Sequence, residues 1–479
     1  MRTISILLIS VLASFSVSAQ DITGQWHGAL KLQGTQLGLV FNITKTDSVV
    51  SSTMDSPNQG VKGIPTTTTS FENSILKITI ANAKIEYEGT LGKDNIIIGT
   101  FKQRGQSFPM NLSKEVPEKE KLVRPQEPLK PYTYYSEDVA FQNKKAGISL
   151  AGTLTLPKKD GVFPVVILIS GSGPQNRDEE LLGHKPFLVI SDYLTKNGIA
   201  VLRYDDRGTA LSKGDYSTAT SADFATDVEA AIDYLKTRKE INKKKIGLIG
   251  HSEGGIIATM VASKSKYVAF IVMLAGPGIQ GDKVLLSQQR LIGKASGVSD
   301  NDLQKTEITN RKSYDIVIKS TSTEQLKIDL TNHIKQALAD NPNTEKPKGM
   351  SDDEYVKLQV NTIARPWMQY FLSYDPAPLL EKVKCPVLAL NGEKDLQVPP
   401  KENLEAIKKA LTKGRNKKVA AIEIPSLNHL FQECKTGSPD EYAKLEQTFS
   451  SSALTEMLKW INLFLFQGQQ AYNEESITL

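Results

Sequence analysis

Ser252, Asp395 and His429 offer a nucleophile, an acid and a base in that chain order, at positions whose surroundings suit each role. Ser252 lies in Gly250-His-Ser-Glu-Gly254, between the apolar run that starts at Ile246 and a helix-compatible stretch from Ile256 to Ser263. Strand, sharp turn and helix form the context in which a Gly-x-Ser-x-Gly serine is held in a strained conformation with its hydroxyl exposed. A serine hydroxyl is a weak nucleophile at neutral pH until a neighbouring base takes its proton, and histidine is suited to that task. The chain has five histidines. His27 falls in an all-β segment, His184 precedes the nucleophile, His251 flanks it, and His333 lies in a helical insertion. His429 follows an apolar strand in Pro425-Ser-Leu-Asn-His-Leu430, so it is the base. The acid that orients the imidazole comes from the turn after Pro386-Val-Leu-Ala-Leu390, where Asp395 is the first choice and Glu393 the alternative.

An acyl-transfer site also needs N–H donors for the oxyanion. Glu253, directly after the serine, supplies one. Ser172, in the Gly171-Ser172-Gly173 loop, supplies the other. Gly171 and Gly173 let the backbone approach a substrate, and Gln175 and Arg177 either reach substrate or brace the loop.

These residues require a sheet whose strands end along one edge. From residue 132 onward, two opening strands (Tyr134 to Gln142, Ile148 to Leu156) precede repeated β–α units. Strands fall at Val165 to Ser170, Ile199 to Tyr204, Val268 to Leu274, Pro386 to Leu390 and Val419 to Ile424. Helices fall at Phe187 to Lys196, Ala222 to Lys236, Glu402 to Leu411 and Leu454 to Phe466. The alternation predicts an α/β fold, a mostly parallel sheet with helices on both faces. Residues 280–375 contain helical periods and no strand, and are expected to form a cap over the site. Residues 20–115 show short alternating strands and read as a small all-β barrel or sandwich. Trp26 and His27 could line a ligand cavity, but such a Trp more often plugs one end of a small barrel, and that reading is preferred. The Pro-rich segment 116–131 reads as a linker, since its prolines suit neither a sheet nor a continuous helix.

At 479 residues the chain exceeds a single ordinary core. A net charge of +5 without a basic block gives no nucleic-acid footprint. Arg2, the apolar run Ile4 to Val17 and Val17-Ser-Ala19 predict a signal peptide over 1–19, hence export to the periplasm or medium. That run, about 14 residues, is short for a membrane span, so no integral anchor is expected. Cys385 and Cys434 are the only cysteines, and a disulfide between them is left open.

Taken together, Gly-His-Ser-Glu-Gly-Gly, Ser-Gly-Ser-Gly-Pro-Gln-Asn-Arg-Asp, Arg203-Tyr-Asp-Asp-Arg-Gly208, Leu390-Asn-Gly-Glu-Lys-Asp395 and Asn428-His-Leu-Phe-Gln432 resemble exported bacterial serine esterases of the α/β-hydrolase superfamily. The branch is that of dienelactone hydrolases and X-prolyl dipeptidyl-peptidase catalytic domains, and the likeness runs from Tyr132 to the C-terminus. It implies carboxylesterase activity on short acyl esters, a small-molecule partner, and neither metal nor organic cofactor. One departure is Ala210, where relatives tend to carry glycine. Two other readings remain: an exported serine peptidase of aminopeptidase or dipeptidyl-peptidase type, and a non-catalytic glycan- or lipid-binding protein with an inert hydrolase fold.

Overall fold

The computed structural model describes residues 21–32, 35–47, 49–57, 61–103, 106–116, 124–342, 344, 346–347 and 350–465. The expected signal segment 1–19 lies outside them. The chain divides into two units, the first built chiefly from residues up to Glu120 and the second beginning at Lys121.

Two-residue periodicity builds the first unit. Its strands are β1 (Gly24–Leu32), β2 (Thr35–Thr46), β3 (Val49–Ser56), β4 (Val61–Pro65), β5 (Thr68–Glu72), β6 (Ile75–Ile80), β7 (Ile85–Leu91), β8 (Ile96–Gln103), β9 (Gln106–Pro109) and β10 (Leu112–Ser113). Along β7, Ile85, Tyr87, Gly89 and Leu91 face inward and the residues between them face solvent. The strands form one antiparallel half-barrel sheet in the order β4-β3-β2-β1-β10-β8-β7-β6-β5, with β9 on β8. Trp26, Phe41, Tyr87 and Phe101 fill its core. Trp26 is buried and donates its indole N–H to the Ile22 carbonyl at 2.7 Å, a core role. Strands β3 to β5 were not foreseen, because residues 49–72 are rich in Ser and Thr and carry little apolar alternation. Their hydroxyls bond one another instead: Ser52 to Thr69 at 2.7 Å and Thr66 to Thr69 at 2.9 Å.

In the second unit β11 (Tyr135–Asn143) and β12 (Ile148–Leu156) form an antiparallel hairpin. Then follow β13 (Phe163–Ile169), α1 (Pro186–Lys196), β14 (Ala200–Tyr204), α2 (Ser221–Thr237), β15 (Ile241–His251), α3 (Glu253–Ala262) and β16 (Val268–Leu274). Five helices interrupt the alternation: α4 (Gly281–Ala295), α5 (Asp300–Lys319), α6 (Thr323–Asp340), α7 (Asp352–Ile363) and α8 (Pro366–Ser373). The chain returns through α9 (Ala377–Leu380), β17 (Val387–Gly392), α10 (Pro400–Lys413), β18 (Val419–Ile424), α11 (Pro439–Tyr442) and α12 (Ser451–Leu465). The sheet order is β11-β12-β14-β13-β15-β16-β17-β18, parallel from β14 to β18.

The central strands β13, β15 and β16 are apolar on both faces because helices cover both. Side chains of α2, α3 and α10 pack on one face, and those of α1 and α12 on the other. The insertion has its own core around Leu326, Leu330 and Val360. Part of the Pro-rich segment is docked on this unit. Arg124 donates to the carbonyls of Gly183, Leu182 and Ala443, and the Gln126 side chain accepts from the amides of Thr448 and Phe449. Cys385 and Cys434 are free thiols.

Sheet and helix meet most closely between β15 and α3. A Cβ on Gly250 would stand 2.0 Å from the Gly254 carbonyl oxygen, and one on Gly254 would stand 2.2 Å from that of Ile169. Those atoms are backbone and cannot swing aside. Helix α3 therefore begins at Glu253, earlier than Ile256, the start read from the sequence; the glycines, poor helix formers, hide its first turn. Gly254→Ala should lower stability by on the order of 3 kcal/mol, read as a lower urea midpoint. At Ala210 the backbone has φ +48°, a left-handed conformation that explains why glycine suits the position. Ala210→Gly should raise stability by about 1 kcal/mol in the same assay.

Candidate active site

Ser252 stands between β15 and α3 with φ +52° and ψ −119°, a conformation unfavourable for a side chain with a Cβ. Its N–H donates to the Leu274 carbonyl at 2.8 Å, which ties the turn to β16. Its hydroxyl makes no hydrogen bond among the described residues. The loop after β13 lies against it: a Cβ on Gly171 would be 3.2 Å from Ser252 Cβ.

The loops after β17 and β18 bring an acid and a base together. His429 Nδ1 is 2.9 Å from Asp395 Oδ2, and both side chains are buried. Asp395 also accepts from the amides of Gln397 at 2.8 Å and Val398 at 2.9 Å, and from Asn391 Nδ2 at 3.4 Å. These contacts fix its orientation, and the bond to Nδ1 leaves His429 Nε2 as the atom that can take a proton from substrate or nucleophile. Glu393 turns elsewhere and accepts the Ser426 amide at 2.8 Å. His429 meets the elbow, the β15–α3 turn that carries Ser252, through His251, whose Nε2 is 3.0 Å from the His429 carbonyl oxygen. His184 and His333 are committed to other partners, the carbonyl oxygens of Tyr442 and Thr309 respectively.

In the loop after β13, Gly171 donates its N–H to Glu179 Oε1 at 2.7 Å and Gly173 donates to the Tyr216 hydroxyl at 2.8 Å. The Ser172 N–H lies between these two engaged amides and has no partner among the described residues, nor does the Glu253 N–H at the first position of α3. The Gln175 amide donates to Asp206 Oδ2 at 3.0 Å, and the Gln175 carbonyl accepts from the Asp206 amide at 3.0 Å. Arg177 is spent on bracing: its guanidinium donates to Asp205, Asp138, the Gly152 carbonyl and Thr153.

Three further acids surround the elbow. Glu179 also faces His251 Nδ1 at 2.9 Å. Asp206 shares a 2.6 Å hydrogen bond with Ser170. The buried Glu253 carboxyl is bonded by the Ser221 hydroxyl and, at 2.8 Å, by the Trp367 indole of α8, which joins the helical insertion to the residue after the serine. Burial pushes the Glu253 carboxyl above its ordinary value against those two donors. Burial, with the charges of Glu253 and Glu179 adding to it, pushes Asp206 up to about 8 despite its bonds to Ser170 and Gln175. Sequence reading missed these partners. Asp178-Glu179-Glu180 looks like a solvated acidic run, and nothing around Trp367 marks it. Asp206, directly after the buried β14, carried the only usable signal.

A family model described as "Serine aminopeptidase, S33" matches residues 187–431. The chain belongs to this family of α/β hydrolases. The hydrolase is 28% identical over 333 residues to Esterase EstD of Thermotoga maritima, a match covering 68% of this chain and 69% of that protein. Among solved structures, the α/β hydrolase GrgF from Penicillium sp. sh18 aligns with a TM-score of 0.44 at 17% identity, over 69% of this chain and 99% of that one. The Pyrococcus furiosus esterase Pf2001 aligns with a TM-score of 0.43 at 16% identity, over 73% and 100%.

The raised Asp206 has a consequence for stability. Its ordinary value is 3.8, so from about pH 4 to about pH 8 the folded hydrolase holds a proton there that the unfolded chain has lost. Stability contributed by this site therefore falls as pH rises through that window. Asp206→Asn, which can keep both bonds without a charge, should gain on the wild type in urea midpoint between pH 5 and pH 8.

Proposed function

We propose that this hydrolase is a serine carboxylesterase acting on short-chain acyl esters through Ser252, His429 and Asp395 and an acyl-enzyme intermediate. The observation that carries the reading is the strained backbone of Ser252 at the sheet edge where the loops of the buried Asp395–His429 pair also end. Such strain persists only where surrounding structure enforces it, and it gathers at functional sites. The similarity to Esterase EstD supports the same chemistry.

In this reading His429 Nε2 removes the Ser252 proton as Oγ attacks the ester carbonyl. The Glu253 and Ser172 N–H groups receive the oxyanion. His429 then returns the proton to the leaving alcohol, and a water, activated by the same imidazole, releases the acid. Asp395 holds the ring in the required tautomer and offsets its positive charge while it is protonated. None of these steps calls on a metal or an organic cofactor. The description of the matched family favours a second reading, an aminopeptidase. It would require an acid free to hold the substrate amine, whereas Glu253 and Asp206 are engaged in buried bonds.

Rates with p-nitrophenyl acetate, p-nitrophenyl butyrate and aminoacyl p-nitroanilides separate the readings. The esterase reading predicts faster turnover of the esters, a loss of roughly 10⁴-fold or more in kcat for Ser252→Ala, and on the order of 10⁴-fold for Asp395→Asn. Equal rates in wild type and Ser252→Ala would defeat it, and faster turnover of the anilides would favour the aminopeptidase.

A further inference from the structure

A second histidine stands beside the proposed base. The ring of His251 is buried, its centroid 4.9 Å from that of His429, and both of its nitrogens face acceptors. Nε2 lies 3.0 Å from the His429 carbonyl oxygen, which can only accept, so Nε2 carries a hydrogen. Nδ1 lies 2.9 Å from Glu179 Oε1, which already accepts the Gly171 N–H at 2.7 Å. A carboxylate oxygen can only accept, and the charge of Glu179 beside the ring favours the protonated imidazole, so Nδ1 carries a hydrogen as well. A neutral imidazole would aim a lone pair at one of these oxygens.

The surroundings agree with this assignment. The charged and titratable groups that bear on the ring are Glu179 from the loop before α1, Asp395 from the turn after β17, and His429 itself. Asp206 and Glu253, the other acids near the turn, are pushed toward their neutral forms by burial. The rest of the wall is apolar, from Phe187, Ile190, Leu274, Leu430 and Phe449. Burial alone would push the His251 imidazole down, but the charge and bond of Glu179, the bond to the His429 carbonyl and the Asp395 charge outweigh it and the net direction is up.

The pair joins three parts of the site. Glu179 holds the amide of Gly171, beside Ser252 and next to Ser172. His251 is the residue before Ser252. Its far nitrogen holds the backbone of His429. Resting on the reading of Ser252 as nucleophile and His429 as base, we propose that His251 and Glu179 form a charged clamp that keeps the 171–173 loop and the His429 loop in register with Ser252, making both of them positioning residues. Because the imidazolium is favoured in the fold, the clamp is intact below the raised His251 value and is lost as pH rises through it.

The test uses the full chain as wild type, His251→Gln and Glu179→Gln, each checked for folding by thermal melting. With ¹⁵N-labelled histidine, NMR should show one imidazole with both nitrogens protonated at pH 7.5. That signal should be missing in His251→Gln and should titrate about one pH unit or more lower in Glu179→Gln. With p-nitrophenyl butyrate, kcat should fall about tenfold or more in His251→Gln while KM stays within about twofold, as expected when groups are misplaced and not removed. The alkaline limb of kcat against pH should move down by a similar unit in Glu179→Gln. A neutral signal for His251 at pH 7.5 overturns the clamp. So does a kcat within about twofold of wild type in both variants at every pH. A wild type that hydrolyses no ester defeats the esterase reading and the positioning role with it, while the NMR experiment still decides the charge by itself.

Discussion

The constraint on which this site depends is the near-contact of α3 with the end of β13. Gly254 lies so close to the Ile169 carbonyl that no side chain fits, and Gly250 lies equally close to Gly254. The helix must begin immediately after the strand ends, and the single residue between them, Ser252, absorbs the change of direction. Three consequences share that origin. The serine side chain is set clear of both elements, the Glu253 amide becomes an unpaired first-turn donor, and the side chains on either side of the serine are driven into the protein. His251 then meets Glu179 and His429, and Glu253 meets Ser221 and Trp367.

Burying four acids around one turn is costly unless each is neutralised, paired or supplied with donors. The four are handled differently. Asp395 faces a histidine and collects backbone amides. Glu179 faces another histidine and holds an amide of the loop after β13. Asp206, which has no ion pair among the described residues, keeps a proton up to about pH 8. Glu253 is shifted the same way and takes a bond from the helical insertion. The loop from Gly171 to Arg177 is thus held by the acids that follow β14 and by Glu179, which engage the amides of Gly171, Gln175 and Arg177 and leave that of Ser172 without a partner among the described residues. A loop restrained in this way can present a donor without reorganising during the reaction, the condition under which such donors are most effective.

Much of the second unit was legible because its signals are local and strong. Short apolar runs between turn-forming residues marked the strands, and Val268–Leu274 and Val419–Ile424 coincide with the observed β16 and β18. The parallel order followed from β–α alternation. Ser252, Asp395 and His429 could be singled out because each follows such a run and histidines are few. What escaped was chemistry whose partners are distant in sequence or whose pattern is faint. Ser- and Thr-rich strands in the first unit satisfy one another by hydroxyl bonds and show little alternation. Glu179 sits in a run that reads as surface, and Trp367 acquires its role only when the insertion folds back on the elbow. Arg177 was left between substrate contact and brace, and its five bonds to Asp205, Asp138, Gly152 and Thr153 place it among the braces.

The central claim is that the enforced turn makes one serine, and no other, reactive. Treating the full chain with a fluorophosphonate and mapping the adduct by peptide mass spectrometry measures this without knowledge of the natural substrate. The account predicts one phosphonyl group per chain, on Ser252, with its formation suppressed in a His429→Ala variant. A chain that stays unlabelled, or that carries the adduct on a different residue, would contradict it.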